Sequence, residues 1–184
     1  LVLFIYGVVL NYFQLFGLSS DFEVDTHKLS ELYQALQKSV HPDRFAHASS
    51  QEQAMAVQKS AMINDAYQVL KNPLQRAEYM LKMRGTEMPS EQSSFRDNSF
   101  LMQQMELREM IAEVQFSDDP EGAYGEAEQT LDNQYQALFS ELKQQLAENN
   151  SEADTLACDN LRKLKFYQKL HLELERLEEQ IFED

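Results

Sequence analysis

An all-α fold is what three features of this 184-residue chain predict: few turn-forming residues, long runs of apolar residues spaced by three and four, and capping signals where those runs begin. Its five glycines and four prolines make up roughly 5% of the chain, against about 12% in an average protein. The length leaves room for one domain or two small ones. Charge divides the chain in two. Residues 11–85 carry 8 basic and 8 acidic side chains, whereas 86–184 carry 8 basic and 23 acidic, which accounts for the whole net charge of −15. That step predicts a module over 11–85, a linker over 86–96 that holds Pro89 and has no apolar period, and a second module over 97–184.

The same balance excludes partners. Phosphate binding needs a basic surface that releases counterions, so nucleic acid and anionic membrane surfaces are both disfavoured. Cys158 is the single cysteine, which removes disulfide frameworks and thiolate zinc sites. The five glycines form neither G-x-G-x-x-G nor a P-loop, and no H-E-x-x-H or G-x-S-x-G occurs. His41, His47 and Asp43 are the best set for a metal or for acid–base work, but their loop has no glycines or apolar walls to form a pocket. No catalytic residue, metal ligand or cofactor is therefore assigned. Residues 1–10, LVLFIYGVVL, are too few to cross a membrane and lack the basic flank and cleavage site of a secretory signal. They read as an apolar extension of unknown status, with a short packing strand or helix as the alternative, and a cytoplasmic protein is expected.

In the first module, Asn11 to Leu18 reads as a short helix stopped by Gly17. Asp25 or Thr26 caps a second helix with the stripe Leu29, Leu32, Tyr33, Leu36 and Val40, which leaves His27, Glu31, Gln34 and Lys38 on the solvated face. Pro42 ends it near Val40. A third helix opens with Ser49-x-x-Glu52 or Ser50-x-x-Gln53 and buries Ala56, Ile63, Ala66, Tyr67 and Leu70. Val57 and Ala61 lie on its far side and predict cover from two directions. A fourth helix starts at Asn72-Pro73, faces Leu74, Ala77 and Leu81 inward, and ends at Gly85.

Two amphipathic helices around a loop that begins His41-Pro42-Asp43, followed by Asn72-Pro-Leu-Gln-Arg-Ala-Glu-Tyr79, resemble the J-domain of DnaJ-type co-chaperones over roughly residues 11–85. The resemblance implies that the tripeptide engages a DnaK-type chaperone and stimulates its ATPase. Pro42 would fix the loop backbone, His41 would offer ring nitrogens, and Asp43 would offer a carboxylate to an arginine of the partner. The family's basic helix-two face is thin here, with Lys28 and Lys38 on the helix and Arg44 just beyond. Val40 stands where a tyrosine is common.

The second module predicts three helices, near 97–115, 120–148 and 153–183, and hence a three-helix bundle. The middle stripe is Tyr124, Ala127, Leu131, Tyr135, Leu138, Leu142 and Leu146. The last helix carries Tyr167, Leu170, Leu174, Leu177 and Ile181, with Phe166 at the stripe's edge. In the first helix, Phe100, Leu107, Ile111 and Val114 share one side. Leu101, Met102 and Met105 fall about 100–200° away and are either packed on the first module or exposed for a partner.

A J-domain followed by an acidic bundle containing Phe100-Leu-Met-Gln-Gln-Met-Glu-Leu-Arg-Glu109 and Arg162-Lys-Leu-Lys-Phe-Tyr-Gln-Lys-Leu170 is similar to the HscB family, the co-chaperones of iron-sulfur cluster biogenesis. The likeness runs from about Asn11 to the carboxy terminus. It implies that the bundle binds the scaffold protein IscU through Leu101, Met102, Met105 and Phe166, with Glu106 and Glu109 beside them, and that an HscA-type chaperone is the second partner. Helical geometry alone also allows Phe166 into the core. A J-domain co-chaperone for a different client is the alternative.

Overall fold

The structure is a computed structural model that describes residues 3–5, 8–89 and 97–182, with side chains over 11–89 and 97–181. Most of the expected linker, 90–96, lies outside the described residues, as do the side chains of the apolar start. The chain divides into two compact units, Leu1–Met83 and Arg84–Asp184. The fold is all-α apart from two short strands, β1 (Leu3–Ile5) and β2 (Val8–Leu10), which pair antiparallel with Leu3 opposite Leu10 and Ile5 opposite Val8.

The first unit holds α1 (Tyr12–Leu15), α2 (Thr26–Val40), α3 (Ser50–Lys71) and α4 (Pro73–Met83). Asn11 caps α1 through a reciprocal capping box with Gln14. The turn after α1 is a Schellman closure: Gly17 sits at φ +65°, the Gly17 amide donates to the Gln14 carbonyl, and the Leu18 amide donates to that of Phe13. Tyr79 of α4 holds this end down. Its hydroxyl accepts from the Tyr12 amide at 2.9 Å, and its ring stacks on Tyr12 with centroids 4.4 Å apart.

Helices α2 and α3 form an antiparallel hairpin. Leu29 is the one residue of α2 that is fully buried, so the apolar seam thins toward the loop and polar contacts take over. The Tyr33 hydroxyl donates to Asn64 at 2.7 Å, Gln37 and Ser60 bond each other at 2.8 Å, and Tyr33 stacks on Tyr67 at 4.1 Å. Ala56, Ile63, Ala66 and Leu70 of α3 and Leu74, Ala77, Met80 and Leu81 of α4 make the core. Each fully buried leucine contributes about 1.5–3 kcal/mol. Covering on two sides, as Val57 and Ala61 predict, does not occur. Val57 is 56% exposed and Ala61 is exposed, because only one face of α3 meets other helices of the unit. Arg76 is buried, donates to the Leu70 carbonyl at the end of α3 and lies over the Phe22 ring.

The second unit holds α5 (Asn98–Glu113), α6 (Pro120–Glu148) and α7 (Ser151–Phe182), with a 3-10 turn at Val114–Phe116. Asn149 closes α6 in the left-handed region at φ 51°, and the two-residue connection sends α7 back antiparallel. The Tyr167 hydroxyl bonds Gln134 at 2.6 Å, and Asn160 bonds Glu141 and Gln145, tying the long pair along its length. Phe100, Leu107, Ile111, Val114, Ala127, Leu131, Tyr167, Leu170 and Leu174 form one apolar cluster. The opposite end of the pair buries Leu142 and Leu146 together with Ala153, Ala157, Cys158, Leu161 and Leu164. No helix among the described residues is long and apolar enough to cross a membrane, and no group of His, Cys, Asp and Glu among them is disposed to hold a metal.

Candidate functional site

Two surfaces gather the residues that the sequence singles out. The first is the loop between α2 and α3. His41 leaves the helix in an extended conformation, as the residue before a proline must, and Pro42 opens a 3-10 turn over Pro42–Phe45. Backbone bonds close the turn: the Arg44 amide donates to the His41 carbonyl at 3.0 Å and the Ala48 amide to that of Phe45 at 2.9 Å. The Asp43 amide donates to His41 Nδ1 at 3.3 Å, and the Asp43 carboxylate lies 3.5 Å from the same nitrogen. From α3, the Gln53 side chain donates to the carbonyls of Ala46 and Ala48. Ser49 and Glu52 then start the helix with a capping box, and the Ser49 hydroxyl and amide hold the Glu52 carboxyl below its ordinary range. The loop is thus short and internally bonded while the polar side-chain atoms of His41 and Asp43 stay in water. The His41 side chain is 59% exposed and that of Asp43 90%. Arg44, Lys38 and Lys28 are exposed as well, but Lys28 lies at the far end of α2, roughly 20 Å along the axis from the loop.

The second surface is on α5. Phe100 and Leu107 are 2% exposed, whereas Leu101, Met102 and Met105 are 37%, 64% and 64% exposed, so the two apolar sets of this helix separate into a buried one and an open one. Glu106 and Glu109 are exposed beside them. Phe166 of α7 is half-buried. Its ring meets Phe100 edge-on at 5.8 Å, which brings it next to the residue that precedes Leu101. Arg108 covers the same ring at 5.5 Å. The start of α5 is pinned by Asp97, which caps the helix through the Phe100 amide, accepts from the Ser99 hydroxyl and pairs with Lys163 at 2.7 Å. Lys163, with Ser99 and the Phe100 amide, holds the Asp97 carboxyl well below the usual carboxylate range. Lys163 also lies 5.1 Å from the Phe100 centroid. Nothing in the sequence marks Arg108, Asp97 or Lys163, because their partners are far away in the chain and no short motif signals such pairs.

The comparisons with known proteins fall on these same two units. The DnaJ domain matches residues 11–79, and the HSCB C-terminal oligomerisation domain matches residues 96–175. The Co-chaperone protein HscB homolog of Colwellia psychrerythraea is 59% identical over 175 residues, covering 95% of this chain and 100% of the relative. The chain belongs to the HscB co-chaperone family. Among other HscB proteins, that of Aeromonas salmonicida is 49% identical over 95% of this chain and 99% of its own. The solved structure of chaperone HscB from Vibrio cholerae superposes with a TM-score of 0.85 at 46% identity, over 94% of this chain and 100% of that one. Human co-chaperone protein HscB gives 0.82 at 30% identity, over 91% and 82%. The His-Pro-Asp loop therefore stands within the J-domain of an HscB, and the open α5 surface within its carboxy-terminal domain.

Proposed function

We propose that this HscB-family chain is an adaptor that captures the iron-sulfur scaffold IscU on α5 and presents it to an HscA-type, DnaK-like chaperone in the cytoplasm, whose ATPase its J-domain stimulates to drive cluster release. What carries this reading is the separation of apolar sets on α5: Leu101, Met102 and Met105 are open while Phe100 and Leu107 on the same helix are buried. Unbranched methionines on an exposed face suit a protein partner better than a core. Phe166 adds an aromatic edge, and Glu106 and Glu109 supply acceptors for a basic rim. At the other surface, His41 and Asp43 present polar atoms on a closed turn, with Arg44 and Lys38 adding positive charge and Lys28 at most a distant contribution. Neither surface makes or breaks bonds, so ATP hydrolysis belongs to the partner.

Steady-state ATPase of the HscA-type chaperone, with and without IscU, tests both halves. His41→Gln is expected to abolish stimulation and leave IscU affinity and the melting temperature unchanged. Leu101→Ala with Met105→Ala is expected to weaken IscU binding by about tenfold or more and leave stimulation by the J-domain alone intact. Stimulation by His41→Gln equal to that of the wild type would sink the loop assignment. Unchanged IscU binding by the double variant, with stimulation retained, would point to another client.

A further inference from the structure

Between residues 109 and 142 the chain carries nine acidic side chains and no lysine, arginine or histidine. This tract covers the end of α5, the 3-10 turn and most of α6, at the other end of α5 from Leu101. In its midst Phe116 is 80% exposed, the most exposed large apolar side chain among the described residues. A single surface phenylalanine is ordinary. This one borders an open hollow of about 330 Å³ lined by Met110, Val114 and Ala123 together with Glu113, Ser117 and Glu126. That volume lies at the lower end of ligand-sized cavities and suits one or two side chains of a peptide. The surroundings add more negative charge. Nearby on the same bundle end, Glu178 accepts from the Tyr124 hydroxyl at 3.1 Å, and burial together with Glu178, Glu128 and Glu175 pushes that hydroxyl up to about 12.

We infer that the hollow at the α5–α6 turn is a second docking site, which takes a basic segment of a partner protein that inserts an apolar side chain beside Phe116. Met110, Val114, Ala123 and Phe116 would take the apolar anchor, and Glu113 and Glu126 in the same lining would pair with the lysines or arginines next to it. A second copy of this chain is a poor occupant, since a two-fold contact here would set the acidic tract against itself in a molecule of net charge −15. The site adjoins the α5 surface assigned to the scaffold, since Glu113 stands one helical turn beyond Glu109, but its test uses no scaffold and can fail while that assignment stands.

The test is a titration of the full, nitrogen-15-labelled chain, followed by amide shifts. The probe is an acetylated, amidated hexapeptide with a central Leu-Phe pair and two lysines on each side. Controls replace the lysines by glutamates or the Leu-Phe pair by Gly-Ser. Saturable shifts are expected at Ser117, Ala123 and Glu126 with the first peptide alone. The affinity is expected to fall at least about tenfold for Phe116→Ala and for the Glu113→Gln, Glu126→Gln double variant. Phe116 is exposed, so its truncation leaves the fold intact, and a wild-type melting temperature checks this. Absent or unsaturable shifts, equal binding of the Gly-Ser control, or shifts centred on Leu101 and Met105 would each overturn the site. So would a wild-type dimer that Phe116→Ala dissociates, because it would assign the hollow to a second copy.

Discussion

Asp97 shows how one side chain can serve both stability and the surface proposed to bind the scaffold. It caps α5, pairs with Lys163 of α7, and sits three residues before Phe100, whose ring carries the weight of Phe166. Because its carboxyl is held below the usual range, the folded state binds that proton less readily than the unfolded chain does. Its contribution is therefore complete above the unfolded value near 4 and is lost as pH falls through the lower folded value. Asp97→Asn is expected to lower the melting temperature of the second unit at neutral pH. The gap to wild type should narrow as the pH is taken down to about 2, read by circular dichroism across a pH series. A gap that stays constant with pH would mean that the cap, not the charge, is what matters. None of this was legible in the sequence, where Asp97 and Lys163 stand 66 residues apart. Leu101, Met102 and Met105 were legible, because helical spacing alone sets them off from Phe100 and Leu107.

At the scale of the element, most starts and stops follow from local chemistry, and the structure chooses where the sequence left two options. Asp25 caps α2, and Ser49 with Glu52, not Ser50 with Gln53, opens α3, which leaves Gln53 free to brace the loop from inside. Exposure was harder to read. Val57 and Ala61 fall on an apolar-looking side of α3, yet periodicity states only that residues share a face and says nothing of whether a neighbour arrives to cover it. The same blindness hid the buried run Ala153, Ala157, Leu161 and Leu164, whose small residues dilute the stripe at the start of α7. Gly17 gives a clean test of a stop signal. A Cβ there meets nothing within 4 Å, so Gly17→Ala is opposed by backbone conformation alone at φ +65°. A loss of about 1 kcal/mol is expected from denaturant midpoints, and Gly17→Asn should lose less, since asparagine tolerates that region.

For the whole molecule, the sequence-based all-α expectation and the family both hold, and the two short strands at the start are a local addition to that fold. The proposed adaptor works by linkage: client and stimulator share one chain, so the second encounter becomes intramolecular. His41→Gln retains the α5 surface, and the Leu101→Ala, Met105→Ala double variant retains the loop. An equimolar mixture of the two is expected to fall well short of wild type in IscU-dependent ATPase stimulation at sub-micromolar protein. Full recovery in the mixture would show that the two surfaces act independently and that tethering is irrelevant.

The His41 ring has a polarity that matters for whatever meets it. Its Nδ1 faces into the loop, 3.3 Å from the Asp43 amide and 3.5 Å from the Asp43 carboxylate, so Nε2 is the nitrogen left for a partner, and it carries the proton of the neutral ring whenever Nδ1 accepts from the amide. Nε2 can then only give a proton outward, whereas the Asp43 carboxylate, two residues on, can only receive one. The loop thus reads in one direction, donor then acceptor, with Pro42 between them as a rigid spacer. A partner must offer the complementary order, an oxygen facing His41 and a cation or amide facing Asp43. A partner docked the other way round would set donor against donor and acceptor against acceptor. If the loop is the chaperone contact proposed above, three residues in a solvated turn would fix the orientation of that complex as well as its existence.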